Sequence, residues 1–305
     1  LGQTALVDDG TYTDCSGVKT YLQGLGITGL DYHFASHYHA DHIGCIDDLA
    51  AVGITVTTAG YDRGSSYSSA TYTTYVTTLG ALRTTIAKNQ VITLDAGAAE
   101  PVTIKCIDLN GAGVYTGTSD ENALSVVLKV TYGAFDEVLG GDLVGVTNDV
   151  ETTVGPAVGD VEVYKVHHHG SAYSSNNAWL AATTPEVGVI SVGDGNSYGH
   201  PTADALARLH AANVHTYWTL TSAVRDGRYW ALAGVFFSGN VTTQMLLVHQ
   251  VAYLVDHGVS PIAAASVSGR AAGRDCGRSP AYVTPSETRR CSPRSRRPRS
   301  ATAGK

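Results

Sequence analysis

Four side chains that can ligate metal crowd into residues 37–42: His37, His39, Asp41 and His42, within "SHYHADHIG". Imidazole nitrogen and carboxylate oxygen suit Zn2+, with Mn2+ as the alternative, whereas a packed core has no use for so many imidazoles. His37 and His39 lie two apart, so on an extended loop leaving a strand both side chains point the same way and can hold one ion. Asp41 and His42, at the turn into the next helix, project together towards a neighbouring point. Two such pairs imply two ions about 3.5–4 Å apart that share a bridging oxygen.

Further ligands are needed, and two stretches offer them. "VLGGD" (138–142) ends on Asp142, where two glycines leave room for a carboxylate to approach an ion. "HHHG" (167–170) at a strand end offers His169 as a ligand and His168 as a ligand or a substrate contact. Ser171 either donates a hydrogen bond to substrate or caps the next turn. His200, between Gly199 and Pro201, reads as a cleft residue (a proton donor or phosphate contact) or as a helix-capping surface residue. The isolated His33 and His210 read as ordinary structural histidines.

These residues need strands that deliver them and helices that cover the sheets. Residues 4–8, 30–37, 54–59, 102–110, 123–133, 137–142, 160–170, 186–193 and 214–221 read as strands. Residues 17–26, 42–53, 68–89, 176–185 and 201–213 read as helices, the third of them long despite its threonines and the last opened by Pro201. Alternation of the two types through both halves implies a layered α/β architecture.

Composition sets the outer bounds. A chain of 305 residues, 43% hydrophobic and 15% charged, has enough apolar content for a packed core. Residues 1–268 carry a net charge of −15 and residues 269–305 one of +8. An acidic body argues against long tracking along a phosphate backbone, which needs clustered Lys and Arg. Residues 269–305, rich in Arg, Ser, Pro and Gly, cannot bury enough apolar surface to offset ordering and read as a disordered tail. We therefore expect a catalytic domain over 1–250, a poorly defined extension over 251–268 and the tail over 269–305. No apolar run reaches the roughly 18–20 residues of a membrane helix; "MLLVHQVAYLVDHGVSPIAAASV" is interrupted by His, Gln, Asp and Pro. The five cysteines lack zinc-finger spacing. Cys15 and Cys45 either pair in an exported form or stay buried as free thiols. Abundant Thr, Ser, Gly and Tyr with scarce Lys lean towards a secreted or extracytoplasmic protein, with a cytoplasmic one left open.

"HYHADH" resembles the H-x-H-x-D-H signature of the metallo-β-lactamase fold hydrolases, in the strand-before, helix-after context they share. "LGQTALVDDG" is similar to the first strands of that fold, where an Asp at the position of Asp8 supports the histidine loop. "ENALSVVLKVTYG" followed by "VLGGD" resembles the strand pair that presents the bridging carboxylate, here Asp142. "YKVHHHGSAYSS" and "VISVGDGNSYGHP" resemble the "HHGS" and "YGHP" segments of the extracytoplasmic hydrolase domain of ComEC-type competence proteins and their free-standing relatives. The likeness runs over roughly residues 1–245. It implies an αββα sandwich of two mixed β-sheets flanked by helices. His167 falls where those relatives usually carry Pro and stays outside the expected ligand set. Many enzymes of this fold supply a third histidine ahead of the "SVVL" strand. Here Asn122 stands near that place, which implies a first ion that is more weakly held, or one open to Mn2+ as well as Zn2+.

The expected activity is metal-dependent hydrolysis by a water activated by two divalent ions. Asp41 would orient that water and accept its proton, and His200 would stabilise charge on the leaving oxygen. The resemblance implies a phosphodiester substrate, including single-stranded nucleic acid. Another ester, amide or lactam is the alternative, since fold does not fix substrate; a non-catalytic binding scaffold ranks below both. Oligomeric state leaves no trace in the sequence.

Overall fold

The computed structural model describes residues 2–193 and 196–218. Two sheets form its centre. The first comprises β1 (Ala5–Val7), β2 (Gly29–Phe34), β3 (Thr55–Asp62) and β4 (Arg83–Thr85), in that order and parallel throughout. The second comprises β5 (Val91–Leu94), β6 (Val102–Asp108), β7 (Val127–Tyr132), β8 (Phe135–Leu139), β9 (Val163–Lys165), β10 (Val187–Ile190) and β11 (His215–Trp218). Its strands lie in simple sequence order, antiparallel from β5 to β8 and parallel from β8 to β11. The second sheet is thus mixed as expected, whereas the first is wholly parallel among the described residues.

Three apolar clusters define the layers. Ala5 and Phe34 of the first sheet meet Ile92, Ile104, Leu128 and Leu139 of the second, so the sheets pack face to face. Helices α1 (Cys15–Gly24), α2 (Ile46–Ala51) and α3 (Ala70–Leu79) place Leu22, Ile46, Leu49 and Tyr75 over Leu30 and Val56 of the first sheet. Helices α4 (Glu151–Val158), α5 (Asn177–Thr183) and α6 (Ala203–Ala211) place Val154, Trp179, Leu180 and Leu209 over Val138, Tyr164 and Ile190 of the second. The order is helix, sheet, sheet, helix: the αββα sandwich that the motifs imply.

Several boundaries differ from expectation. The long helix over 68–89 stops at Leu79, because Gly80 takes a positive φ of 51° and residues 83–85 pair with β3 instead. Ser69 caps its start by accepting the Tyr72 amide at 3.0 Å. The helix over 42–53 begins only at Ile46, leaving the histidine segment as irregular loop. The strand over 160–170 ends at Lys165, and His167–Gly170 is a tight turn with His168 and His169 at φ 50° and 53°. The strand ending on Asp142 stops at Leu139, so Gly140, Gly141 and Asp142 form a loop. Strand β5 and helix α4 had no counterpart in the sequence reading; Gly155 and Pro156 disguise α4. The ends of the domain, at 250 and 268, and the tail lie outside the described residues. Among those residues no helix is long and apolar enough to cross a membrane.

Candidate metal centre

Parallel β1, β2, β8 and β9 all discharge their C-terminal ends towards one place. From β1 comes Asp8, from β2 the loop carrying His37, His39, Asp41 and His42, from β8 the Gly-Gly-Asp142 turn, and from β9 the histidine turn. Glycine at 141 is needed for two reasons. Its φ is 55°, and a Cβ there would collide with Ser36.

Asp142 is buried at the focus. His42 Nε2 lies 3.3 Å from its Oδ1; His169 Nε2 lies 3.4 Å, and His37 and His168 Nε2 each 3.9 Å, from its Oδ2. Asp41, half exposed at the rim, has Oδ2 3.4 Å from His169 Nε2 and 3.9 Å from His42 Nε2. The separations of 3.3 and 3.4 Å match the edges of a coordination tetrahedron, about 3.3 Å for metal–ligand bonds near 2.0–2.1 Å, and those of 3.9 Å are wider. His42 Nε2 and His169 Nε2 are buried without a hydrogen-bond partner, the state expected of nitrogens reserved for an ion. Two sets bring their ligand atoms within 4.8 Å of one another: His37, His42 and Asp142, and Asp41, His42 and His169. His39 joins the first through its Nδ1, 3.0 Å from His37 Nε2.

Around these sit the groups that aim them. Asp8 accepts the Ser36 amide at 2.7 Å and the Ser36 hydroxyl at 2.8 Å, and its Oδ2 lies 2.7 Å from His42 Nδ1. With an ion at Nε2, the His42 proton would sit on Nδ1, facing Asp8. Asp9 accepts the Cys45 amide at 2.6 Å, and its other oxygen lies 3.1 Å from His33 Nε2 without hydrogen-bond alignment. Glu121 accepts the Tyr38 amide at 3.0 Å while gripping buried Arg63 at 2.9 and 2.6 Å. His169 Nδ1 donates to the Ser191 carbonyl at 2.6 Å.

The electrostatics follow from packing charge into a buried space. Burial opposes the charged form of Asp142, yet the facing imidazoles of His169 and His42 outweigh it and hold the carboxyl well below its usual range. Burial likewise works against protonation of His42, but Asp142 and Asp8 overcome it and lift the imidazole to about 10. His37 is pushed well below the usual histidine range by burial and then by His42; burial takes His168 down to about 4.

The remaining expected residues are placed as follows. Asn122 lies beside His168, with Nδ2 3.4 Å from its Nε2. Ser171 is buried and its hydroxyl accepts the Tyr173 amide at 3.3 Å, which is the turn-capping alternative. His200 stands outside the ligand ring, its ring 5.5 Å from that of His168 and 5.9 Å from that of exposed Tyr198. It does not cap α6; Thr202 does, accepting the Ala205 amide at 3.3 Å.

Sequence reasoning passed over His167 and Glu151. Both are fully buried, with His167 Nδ1 2.7 Å from Glu151 Oε1. The same carboxylate accepts the Ser175 and Asn176 amides, each at 2.7 Å. His167 packs between Tyr164 and Trp179 and fills the space where a Cβ on residue 140 would stand. Only the three consecutive histidines hinted at it. Cys15 and Cys45 are joined in a disulfide, the first of the two alternatives.

No family model matches the chain. "Competence protein ComA" of Neisseria gonorrhoeae is 36% identical over 111 residues, 35% of this chain and 16% of that protein. "ComE operon protein 3" of Bacillus subtilis (strain 168) is 29% identical over 118 residues, 39% of this chain and 15% of that protein. The chain therefore matches only about a sixth of the length of these curated relatives. Among solved structures, Zn(2+)-bound PqqB from Methylobacterium extorquens is 12% identical, with a TM-score of 0.35 over 61% of this chain and 70% of that one. The resemblance read from the motifs extends to measurable sequence identity with these two proteins.

Proposed function

We propose that the chain is a metal-dependent hydrolase of phosphodiesters. The observation that carries this reading is Asp142, a buried carboxylate ringed by four imidazole nitrogens, two of them without any hydrogen-bond partner. Asp41, His42, His169 and Asp142 would hold one divalent ion. His37 and His39, with Asp142 shared and His168 beside Asn122, would hold a second. The donor set suits Zn2+, with Mn2+ as the alternative. Bound there, the ions supply Lewis-acid polarisation of the ester and lower the pKa of a water molecule towards 7.

The chain's own side chains supply the rest. Asp41 stands at the mouth with its carboxyl held low by His169 and His42 against the cost of burial, so it is an anion ready to orient the attacking water and accept its proton. His200, its ring 5.5 Å from that of His168, would donate a hydrogen bond to a phosphoryl or leaving-group oxygen. Asp8 and Glu121 keep the histidine loop in register. A disulfide beside that loop suits an oxidising compartment, which supports a secreted or extracytoplasmic location.

Choice of substrate turns on charge. Of the cations in the second sheet's half, Lys165 donates to the Gly141 carbonyl and Arg208 to those of Ala172, Ser174 and Ser175. Among the described residues, neither offers a basic groove beside His168 and His200, which favours a short phosphodiester, or another small ester, over a long polyanion.

The test pairs elemental analysis of the purified protein with hydrolysis of bis(p-nitrophenyl) phosphate before and after chelation. Bound divalent metal, with turnover lost on chelation and reduced at least a thousandfold in Asp142→Ala, is the expected result. Metal without phosphodiester turnover moves the substrate to another ester or amide; absence of metal uptake ends the hydrolase reading.

A further inference from the structure

Six of the lysines and arginines among the described residues pair with carboxylates: Lys19, Arg63, Arg83, Lys88, Lys129 and Lys165. Five of those carboxylates lie outside the candidate ligand set. The sixth is Asp142. Lys165 Nζ donates to the Gly141 carbonyl at 2.9 Å and lies 3.5 Å from Asp142 Oδ1, and its side chain is only 16% exposed.

This placement follows from strand register. Leu139 of β8 stands opposite Lys165 of β9 in a parallel pair, so the lysine stem runs alongside the turn that carries Asp142. A site meant for cations thus has a fixed cation built against its central carboxylate. An ammonium at that distance takes up part of the negative charge that two divalent ions would otherwise share, and it repels both.

The repulsion does not fall on two equal positions. One has two carboxylates, Asp41 and Asp142, with His42 and His169. The other has His37 and His39, with His168 beside Asn122, and no carboxylate but the shared Asp142. We propose that Lys165 acts as a built-in counter-charge at Asp142, so that the centre holds one ion tightly, at Asp41, His42, His169 and Asp142, and the ion at His37 and His39 weakly. Lys165 then sets the metal stoichiometry without being a ligand. This rests on the metal-site reading above and adds to it a residue that governs how the site fills.

The experiment is a Zn2+ titration of the full chain against a competing chelator, with elemental analysis after dialysis, for the wild type, Lys165→Gln, Lys165→Met and Lys165→Arg. Gln keeps a donor for the Gly141 carbonyl without the charge; Met keeps the stem; Arg keeps the charge. We expect about one retained ion in the wild type and in the Arg variant. In the Gln and Met variants the second ion should bind roughly ten- to a hundredfold more tightly. Two equally tight ions in the wild type would overturn the proposal, as would unchanged stoichiometry in whichever neutral variant keeps a native circular dichroism spectrum. One ion in the wild type with no gain in the neutral variants defeats the role of Lys165 and leaves the hydrolase reading standing. No uptake by any variant defeats both, whereas uptake only by the neutral variants defeats the native metal site and upholds the lysine as its blocker.

Discussion

The loop after β2 and the turn after β9 meet at Asp142, but they are held in different ways. Three buried or nearly buried carboxylates serve the first. Asp8 binds Ser36 and His42, Asp9 binds the Cys45 amide, and Glu121 binds the Tyr38 amide. The disulfide to Cys15 closes its far end. A single carboxylate, Glu151, underlies the second, and it must hold His167, Ser175 and Asn176 together. That turn also keeps two successive non-glycine residues, His168 and His169, in left-handed backbone, at roughly 1–3 kcal/mol each. The first loop is redundantly braced; the second concentrates its support in one group.

The contrast breaks most sharply at Glu151. Replacing it by Ala should cost about 3–5 kcal/mol in urea unfolding, because a buried imidazole and two amides lose their acceptor together. The same variant should disorder His168 and His169, seen as loss of a Co2+ absorption spectrum, while His37 and His42 keep their ring resonances. Removing the disulfide by Cys15→Ala with Cys45→Ala should cost about 3–4 kcal/mol, the loop-closure value for a separation of 30 residues. Asp8→Asn should cost less, about 1–3 kcal/mol, since Asp9 and Glu121 still hold the loop. A thermal-melt series that ranked Asp8→Asn above Glu151→Ala would reverse the comparison.

The smallest effect is a dependence on pH, read in chelated protein. Asp8's carboxyl is lowered by His42 despite burial, so its contribution is present above about 3.8 and lost as pH falls further. His42 is raised to about 10, so its contribution is complete below 6.5 and fades as pH climbs towards 10. Melting temperature should therefore peak between these limits. A rise in stability from pH 7 to 10 would contradict the pairing of His42 with Asp8 and Asp142.

This same contrast explains what could be read from the chain. The first loop announced itself because its candidate ligands fall within six residues and Asp8 is only one strand away in the sheet. Asp142 was legible through the two glycines before it. Glu151 was not, since its tie to His167 spans sixteen positions and starts from a helix masked by Gly155 and Pro156. Helix α3 was overextended because apolar spacing carried on past Gly80, whereas the backbone there turns to feed β4. Lys165 looked like one more strand residue; only register with Leu139 brings it to Asp142.

The Cys15–Cys45 bond encloses β2 and the whole first histidine loop in a covalent ring. A protease cut anywhere inside that ring, between residues 16 and 44, leaves two fragments still tied to each other. On a denaturing gel the cut protein would migrate near its intact mass without reductant and separate into pieces with it. A chain in a protease-rich environment could thus take a cut near its histidines and keep both halves at hand for re-forming the site.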